Sequence, residues 1–256
     1  MTGLVERDVR VETPDGPMWV FTARPEGPGP FPVAMVYMDA YGYREAIKDN
    51  VRRFAAAGYC CLMPDLFHRS GERQTLDPAR SGEDFIAELR ALVASVTPAM
   101  VDADTTAAMA AVADDPAVAS GPAVCVGYCM GARMALHVAG AMPERIAAAA
   151  GIHPGSLATD RPDSPHHDLD GVRGELYVAF AEHDRSATAE AVARFDRERR
   201  DRGVAGEVER IAGAQHGFAL PDLPVFDPAG AERHFTRTLE LWRRAVPPGQ
   251  PAASSG

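Results

Sequence analysis

Short continuous apolar runs alternate along this chain with longer stretches that read as helices. Residues 31–38, 59–63, 122–126, 146–152 and 176–181 are runs of strand length, and the first is the pattern of a strand covered on both faces. Residues 206–211 add a last strand. Residues 9–13 and 18–23 flank Pro14-Asp15-Gly16, a strong turn signal, and predict an antiparallel hairpin at the start of the sheet. Helices are expected over residues 44–57, 83–96, 101–113, 132–139, 187–202 and 229–246. Ala46, Val51, Phe54 and Ala55 supply an inner face for the first of these, and Gly58 stops it. Residues 25–30, 68–79 and 153–172 read as loops. Strands alternating with helices of this length mean a mainly parallel sheet with helices on both faces. Ligands in such a sheet bind at the carboxyl ends of the strands.

No repeat and no linker divides the chain. A single α/β domain is expected over residues 1–246, followed by a disordered Pro/Ser/Gly/Ala-rich tail at 247–256. The 26 Lys and Arg against 36 Asp and Glu leave a net charge of −10, which argues against nucleic acid or an anionic membrane surface as the main partner. The N-terminus does not resemble a secretory signal, and no stretch approaches a membrane span. Four cysteines, two of them adjacent at Cys60 and Cys61, do not form a disulfide framework in a chain of 256 residues. A cytoplasmic protein with reduced thiols, monomeric or homodimeric, is the expectation.

The candidate chemistry centres on Gly127-Tyr128-Cys129-Met130-Gly131, between a predicted strand and a predicted helix. Strand, sharp turn, helix is the setting in which a G-x-nucleophile-x-G motif works, with glycines leaving room for the turn. A thiol there stands at a helix N-terminus, whose partial positive charge favours thiolate. A cysteine nucleophile needs a base and a group to orient that base. Beyond Cys129, the first candidate orienter at a strand end is Asp184, and the first base beyond it is His216, between the small residues Gly213, Ala214 and Gly217. Nucleophile, acid, histidine is the chain order of the α/β-hydrolase arrangement.

With these residues the chain resembles the dienelactone hydrolases, cysteine members of the α/β-hydrolase fold. The likeness runs from about residue 8 to about residue 245 and rests on Gly-Tyr-Cys-Met-Gly (127–131), Pro-Asp-Leu-Phe (64–67), Ala-Glu-His-Asp (181–184) and Gly-Ala-Gln-His-Gly-Phe (213–218), with Met38-Asp39-Ala40-Tyr41-Gly42 a looser match. The resemblance implies that Cys129 attacks an ester or lactone carbonyl, with His216 as base and then acid and Asp184 orienting it. It implies an oxyanion hole from the backbone N–H groups of Met130 and Ala40. The family type carries a glutamate that contacts the thiol where this chain has the shorter Asp39. It also carries an arginine shortly after the catalytic histidine, where this chain has Phe218-Ala219-Leu220-Pro221. Arg69, Arg73 and Arg80 are the candidates for gripping a substrate carboxylate instead.

Plainer readings stand beside several of these residues. Asp39 is as readily a cap for the following helix. Tyr41, Tyr128 and His153 are candidates to line the pocket, against ordinary sheet-covering or loop roles. Cys125 is best explained as a strand interior, His166-His167 as a solvated loop rather than a zinc fragment, and residues 194–202 as a solvated helix face. The leading reading is a hydrolase of small esters or lactones that uses no cofactor and no metal. A thioesterase or acyl transferase with the same three residues, a non-catalytic ligand-binding relative of the fold, and a thiol redox role are the alternatives.

Overall fold

The computed structural model describes residues 3–161 and 164–249; residues 250–256, most of the expected tail, lie outside them. The chain opens with β1 (Leu4–Thr13) and β2 (Gly16–Pro25), paired antiparallel around Pro14-Asp15. There follow β3 (Val33–Tyr37), α1 (Glu45–Ala56), β4 (Cys60–Pro64), α2 (Glu83–Ala94) and α3 (Pro98–Ala110). The second half runs β5 (Ala123–Tyr128), α4 (Met130–Ala141), β6 (Ile146–Ile152), β7 (Glu175–His183), α5 (Ala189–Asp201), β8 (Gly206–Gln215) and α6 (Pro228–Ala245).

The eight strands form one sheet in the order β1-β2-β4-β3-β5-β6-β7-β8. The hairpin joins antiparallel through β2 on β4, and the six strands from β4 to β8 run parallel. The chain builds outward from β3 to β4 on one side, then returns to lay β5 on the other. The switch point therefore falls between β3 and β5, where a crevice opens at the carboxyl ends. Neighbouring residues on β5 show the two covered faces. A Cβ on Gly127 would meet α4, whereas the Tyr128 ring packs edge-on against His234 of α6. On the α6 face, Phe54 of α1 packs against Phe235 and Trp242. The core is continuous across the sheet.

Two glycines set how closely the first turn of α4 can sit. A Cβ on Gly131 would come within 2.3 Å of the Met38 carbonyl oxygen, and one on Gly127 within 1.9 Å of the Gly131 carbonyl oxygen. The helix start is thus pressed between the tips of β3 and β5 with no side chain between them.

Several boundaries differ from those the pattern predicts, for physical reasons. The hairpin strands and β8 are longer than their apolar cores, because edge residues such as Leu4 to Asp8 are held by ladder hydrogen bonds rather than by burial. Helix α3 begins at Pro98 rather than at 101, with the Thr97 side chain accepting the Met100 N–H and proline at the first helical position. Residues Pro165–Gly171, inside the predicted loop, form a short 3-10 helix. Its His166 is buried and hydrogen-bonds Ser164 Oγ at 2.9 Å, so it is not a solvated loop residue, and among the described residues it joins no metal-ligand cluster. Arg199 departs from the solvated-face reading of 194–202. It is buried, with its guanidinium on Asp196 and on the Val204 carbonyl.

His137, on α4, ties that helix to its surroundings. Its ring nitrogens lie 2.9 Å from Asp168 and 3.2 Å from Asp102. Burial opposes its charge, but the two carboxylates outweigh burial and push its pKa up to about 9. A raised folded-state value gives stability that is fully present below the ordinary histidine range and is lost as pH rises through 9. Urea denaturation should therefore show His137→Gln destabilised relative to wild type at about pH 6, with the gap closing by about pH 10. In the same assay, Gly131→Ala should lose about 1–3 kcal/mol, because the β3 tip must move to admit the methyl group.

Candidate active site

The turn after β5 holds Cys129 at φ 52°, ψ −110°, a left-handed conformation that non-glycine residues adopt only under constraint. Its N–H is taken by the Ile152 carbonyl at 3.0 Å, which fixes the turn to the end of β6. Of the four free cysteines, Cys60, Cys61 and Cys125 are buried and Cys129 alone is partly exposed. Burial pushes the Cys60 thiol up to about 12 and raises those of Cys61 and Cys125 as well, so these three are inert core groups.

His216 follows β8, and Gly217, at φ 96°, turns the chain just beyond it. The ring reaches the sulfur, with Nε2 3.1 Å from Cys129 Sγ. On its other side Nδ1 lies 2.6 Å from Oδ2 of Asp184, the residue just past β7. Asp184 has its second oxygen occupied by Ser186, whose N–H and Oγ–H donate to Oδ1 at 2.8 and 2.6 Å. The structure therefore brings together all three residues that chain order singles out, above the carboxyl ends of β5, β7 and β8.

Charge distribution follows from these contacts. Burial would lower the His216 pKa, but the charge on the Cys129 sulfur and the hydrogen bond to Asp184 push it up to about 10. Burial works against the Asp184 carboxylate, yet hydrogen bonds from His216 and Ser186 hold it below the usual carboxylate value. A sulfur, an imidazole and a carboxylate in this chain of hydrogen bonds can activate a nucleophile and return a proton to a leaving group.

His153 backs this array. It is fully buried, sits at φ 40°, and sets its ring edge-on to His216 (5.2 Å between centroids) and Phe218 (5.3 Å). Burial and the neighbouring His216 and His234 hold its pKa well below the ordinary value, so it stays neutral. Tyr128 is fully buried on the α6 side of β5 and lines no open cleft. Tyr41 is half-buried and stacks on Phe85 of α2, with ring centroids 6.2 Å apart.

Met130 is the first residue of α4, so its N–H is among those that a helix start leaves without an internal partner. Ala40 follows β3 in a turn closed twice by Asp39. The Asp39 side chain accepts the Tyr41 N–H at 3.0 Å, and its carbonyl accepts the Gly42 N–H at 3.2 Å. Asp39 caps no helix, since α1 begins at Glu45. Instead both carboxylate oxygens take donors from Arg44, one of them at 2.9 Å. The arginine reaches on to Asp222 at 2.5 Å. Arg69, Arg73 and Arg80 each have their own partners. Arg69 forks onto buried Asp104 and also meets Asp15, Arg73 lies over the Trp19 ring, and Arg80 pairs with Glu88 over Phe85.

Three residues near the site escape sequence reading. Ser186 stands two positions after Asp184, the spacing of a side-chain-closed turn, and that spacing was the available signal. Arg44 and Asp222 had none, because each looks like an ordinary polar residue beside a motif.

A protein-family model described as the dienelactone hydrolase family matches residues 18–246. An Escherichia coli K12 protein provisionally named carboxymethylenebutenolidase is 27% identical over 233 residues, covering 89% of this chain and 82% of that protein. A Methylorubrum extorquens protein of the same provisional name is 32% identical over 132 residues, 52% of this chain and 43% of its own length. Among solved structures, a Klebsiella pneumoniae protein provisionally described as a dienelactone hydrolase superposes with a TM-score of 0.84 at 21% identity, covering 94% of this chain and 99% of its own. P91, a metagenomic protein described as a dienelactone hydrolase-like promiscuous phosphotriesterase, superposes at 0.76 with 21% identity, over 94% of this chain and 98% of its own. With a family match over most of its length and the α/β-hydrolase sheet beneath its partly exposed cysteine, the chain belongs to the dienelactone hydrolase family, hydrolases of ester and lactone bonds.

Proposed function

We propose that this protein hydrolyses small esters or lactones through an acyl-cysteine, with Cys129 as nucleophile, His216 as acid and base, and Asp184 as orienter. One observation carries the reading: the imidazole bridges sulfur and carboxylate, 3.1 Å from Cys129 Sγ and 2.6 Å from Asp184.

In the proposed first half-reaction the Cys129 thiolate attacks the carbonyl carbon and the carbonyl π electrons move onto oxygen. The N–H groups of Met130 and Ala40 receive that oxyanion. As the tetrahedral adduct collapses, the C–O bond to the leaving alcohol breaks and His216 Nε2 gives that oxygen its proton. In a lactone the leaving hydroxyl stays attached to the acyl group. The second half-reaction needs a base, and charge supplies one. Once the sulfur is acylated, its negative charge, the main cause that raises the His216 value, is gone. The imidazole is then neutral and takes a proton from water, which attacks the acyl carbon and expels the thiolate as the acid forms.

Besides the chain and the substrate, only water reacts in these steps. Among the described residues no helix is long and apolar enough to cross a membrane. Four free thiols agree with a reducing cytoplasmic setting.

With p-nitrophenyl acetate, Cys129→Ala should abolish turnover and His216→Ala should lower it about 10²–10⁴-fold. Retained turnover in Cys129→Ala defeats the reading. With an alkyl ester or a lactone, whose alkoxide leaving group needs a proton, the kcat/KM profile should decline on the alkaline side near pH 10, where the imidazolium loses that proton. Asp184→Asn should move that decline to lower pH, and an unmoved limb would deny Asp184 its role.

A further inference from the structure

We infer that Arg44 is a positioning residue, clamping the turn that carries Ala40 against the loop that follows His216; this rests on the acyl-cysteine reading above. Arg44 is 8% exposed, though it is the residue just before α1 and reads in sequence as the first turn of a surface helix. Its guanidinium is spent on two carboxylates from different parts of the chain. One end holds both oxygens of Asp39, which is 2% exposed, and Nε and Nη2 reach Asp222 at 2.5 and 3.3 Å. Its carbon also lies over the Tyr41 ring, 5.3 Å from the centroid.

What the clamp fixes follows from the backbone it touches. Asp39 and Tyr41 flank Ala40, and the Asp39 side chain accepts the Tyr41 N–H. Rotating that carboxylate away would release the turn and re-aim the Ala40 N–H, whose use is confined to the moment when charge develops on the carbonyl oxygen. Asp222 belongs to the segment that leaves His216 through successive tight turns, with Phe218 N–H on Gln215, Leu220 N–H on Gly217 and Leu223 N–H on Leu220. Arg44 thus ties the turn after β3 to the segment that follows β8 and His216. It also cancels one of two negative charges beside the place where the oxyanion forms. A planar fork is suited to this, since it meets two carboxylates at fixed angles where a lysine ammonium would satisfy one.

The role is separable from a merely structural one because alkylation of Cys129 needs the thiolate but no oxyanion hole. The variants are Arg44→Lys, Asp222→Asn and the double variant Asp39→Asn with Arg44→Met, which removes both buried charges together and so strands neither. Each is assayed for p-nitrophenyl acetate kcat and KM, for the rate of iodoacetamide labelling at Cys129, and for melting temperature. In the double variant kcat should fall about 30-fold or more, the scale of a mis-aimed oxyanion donor, while KM and labelling stay within about threefold of wild type. Arg44→Lys, which keeps the buried charge and the fold, should lose about tenfold in kcat with the same split, and Asp222→Asn about threefold. A kcat within threefold of wild type in Arg44→Lys and in a folded double variant overturns the inference. So does a parallel fall of kcat and labelling, which would place the effect on the thiol and imidazole themselves. Full turnover in Cys129→Ala would instead sink the acyl-cysteine reading, and this role with it.

Discussion

The absence of side chains at Gly127 and Gly131 lets the first turn of α4 enter between the ends of β3 and β5. Every position in the site is referred to that contact. With a Cβ at either residue, atoms would meet backbone carbonyls at about 2 Å, far inside van der Waals contact. The close approach puts Cys129 at the summit of the turn in a strained conformation. It also places the start of a helix, with its unpaired N–H groups, beside the sulfur. The rigid parallel sheet beneath is what keeps the strain from relaxing.

Around that summit the charged groups are arranged in two linked sets. Asp184, His216 and Cys129 form one, in which the sulfur and the carboxylate on either side of the imidazole together raise its pKa against burial. Asp39, Arg44 and Asp222 form the other, a buried Asp39–Arg44 pair that reaches out to Asp222 nearer the surface. The first set supplies a reason for chemistry and the second a reason for precision of placement. His153, kept neutral by burial, stands behind His216 as an uncharged wall and adds no competing base.

Much of the architecture was legible because it depends on local signals. The run at 146–152 became β6 with the same limits, since a short apolar segment between helices is readily covered on both faces of a parallel sheet. Cys129, Asp184 and His216 stood out because each closes a strand, and a parallel sheet gathers strand ends along one edge. Errors clustered where backbone pairing or a helix cap, rather than hydrophobicity, sets the boundary. The outer half of the hairpin, the extension of β8 to Gln215 and the start of α3 at Pro98 are of this kind.

Sequence alone determined which residues were chemically equipped and on which edge of the sheet they would arrive, because strand ends and a parallel sheet are legible in the pattern of apolar runs and helices. Tertiary structure alone decided which of them meet. Asp39 proved to face Arg44, not to cap a helix, and Arg69, Arg73 and Arg80 proved to be engaged by other partners. Arg44 and Asp222 lie far apart along the chain, and Ser186 gains its role only once Asp184 has turned toward His216. Pairings of this sort are set by side-chain directions and by charge balance in a space with little water, and neither is written into the spacing of residues.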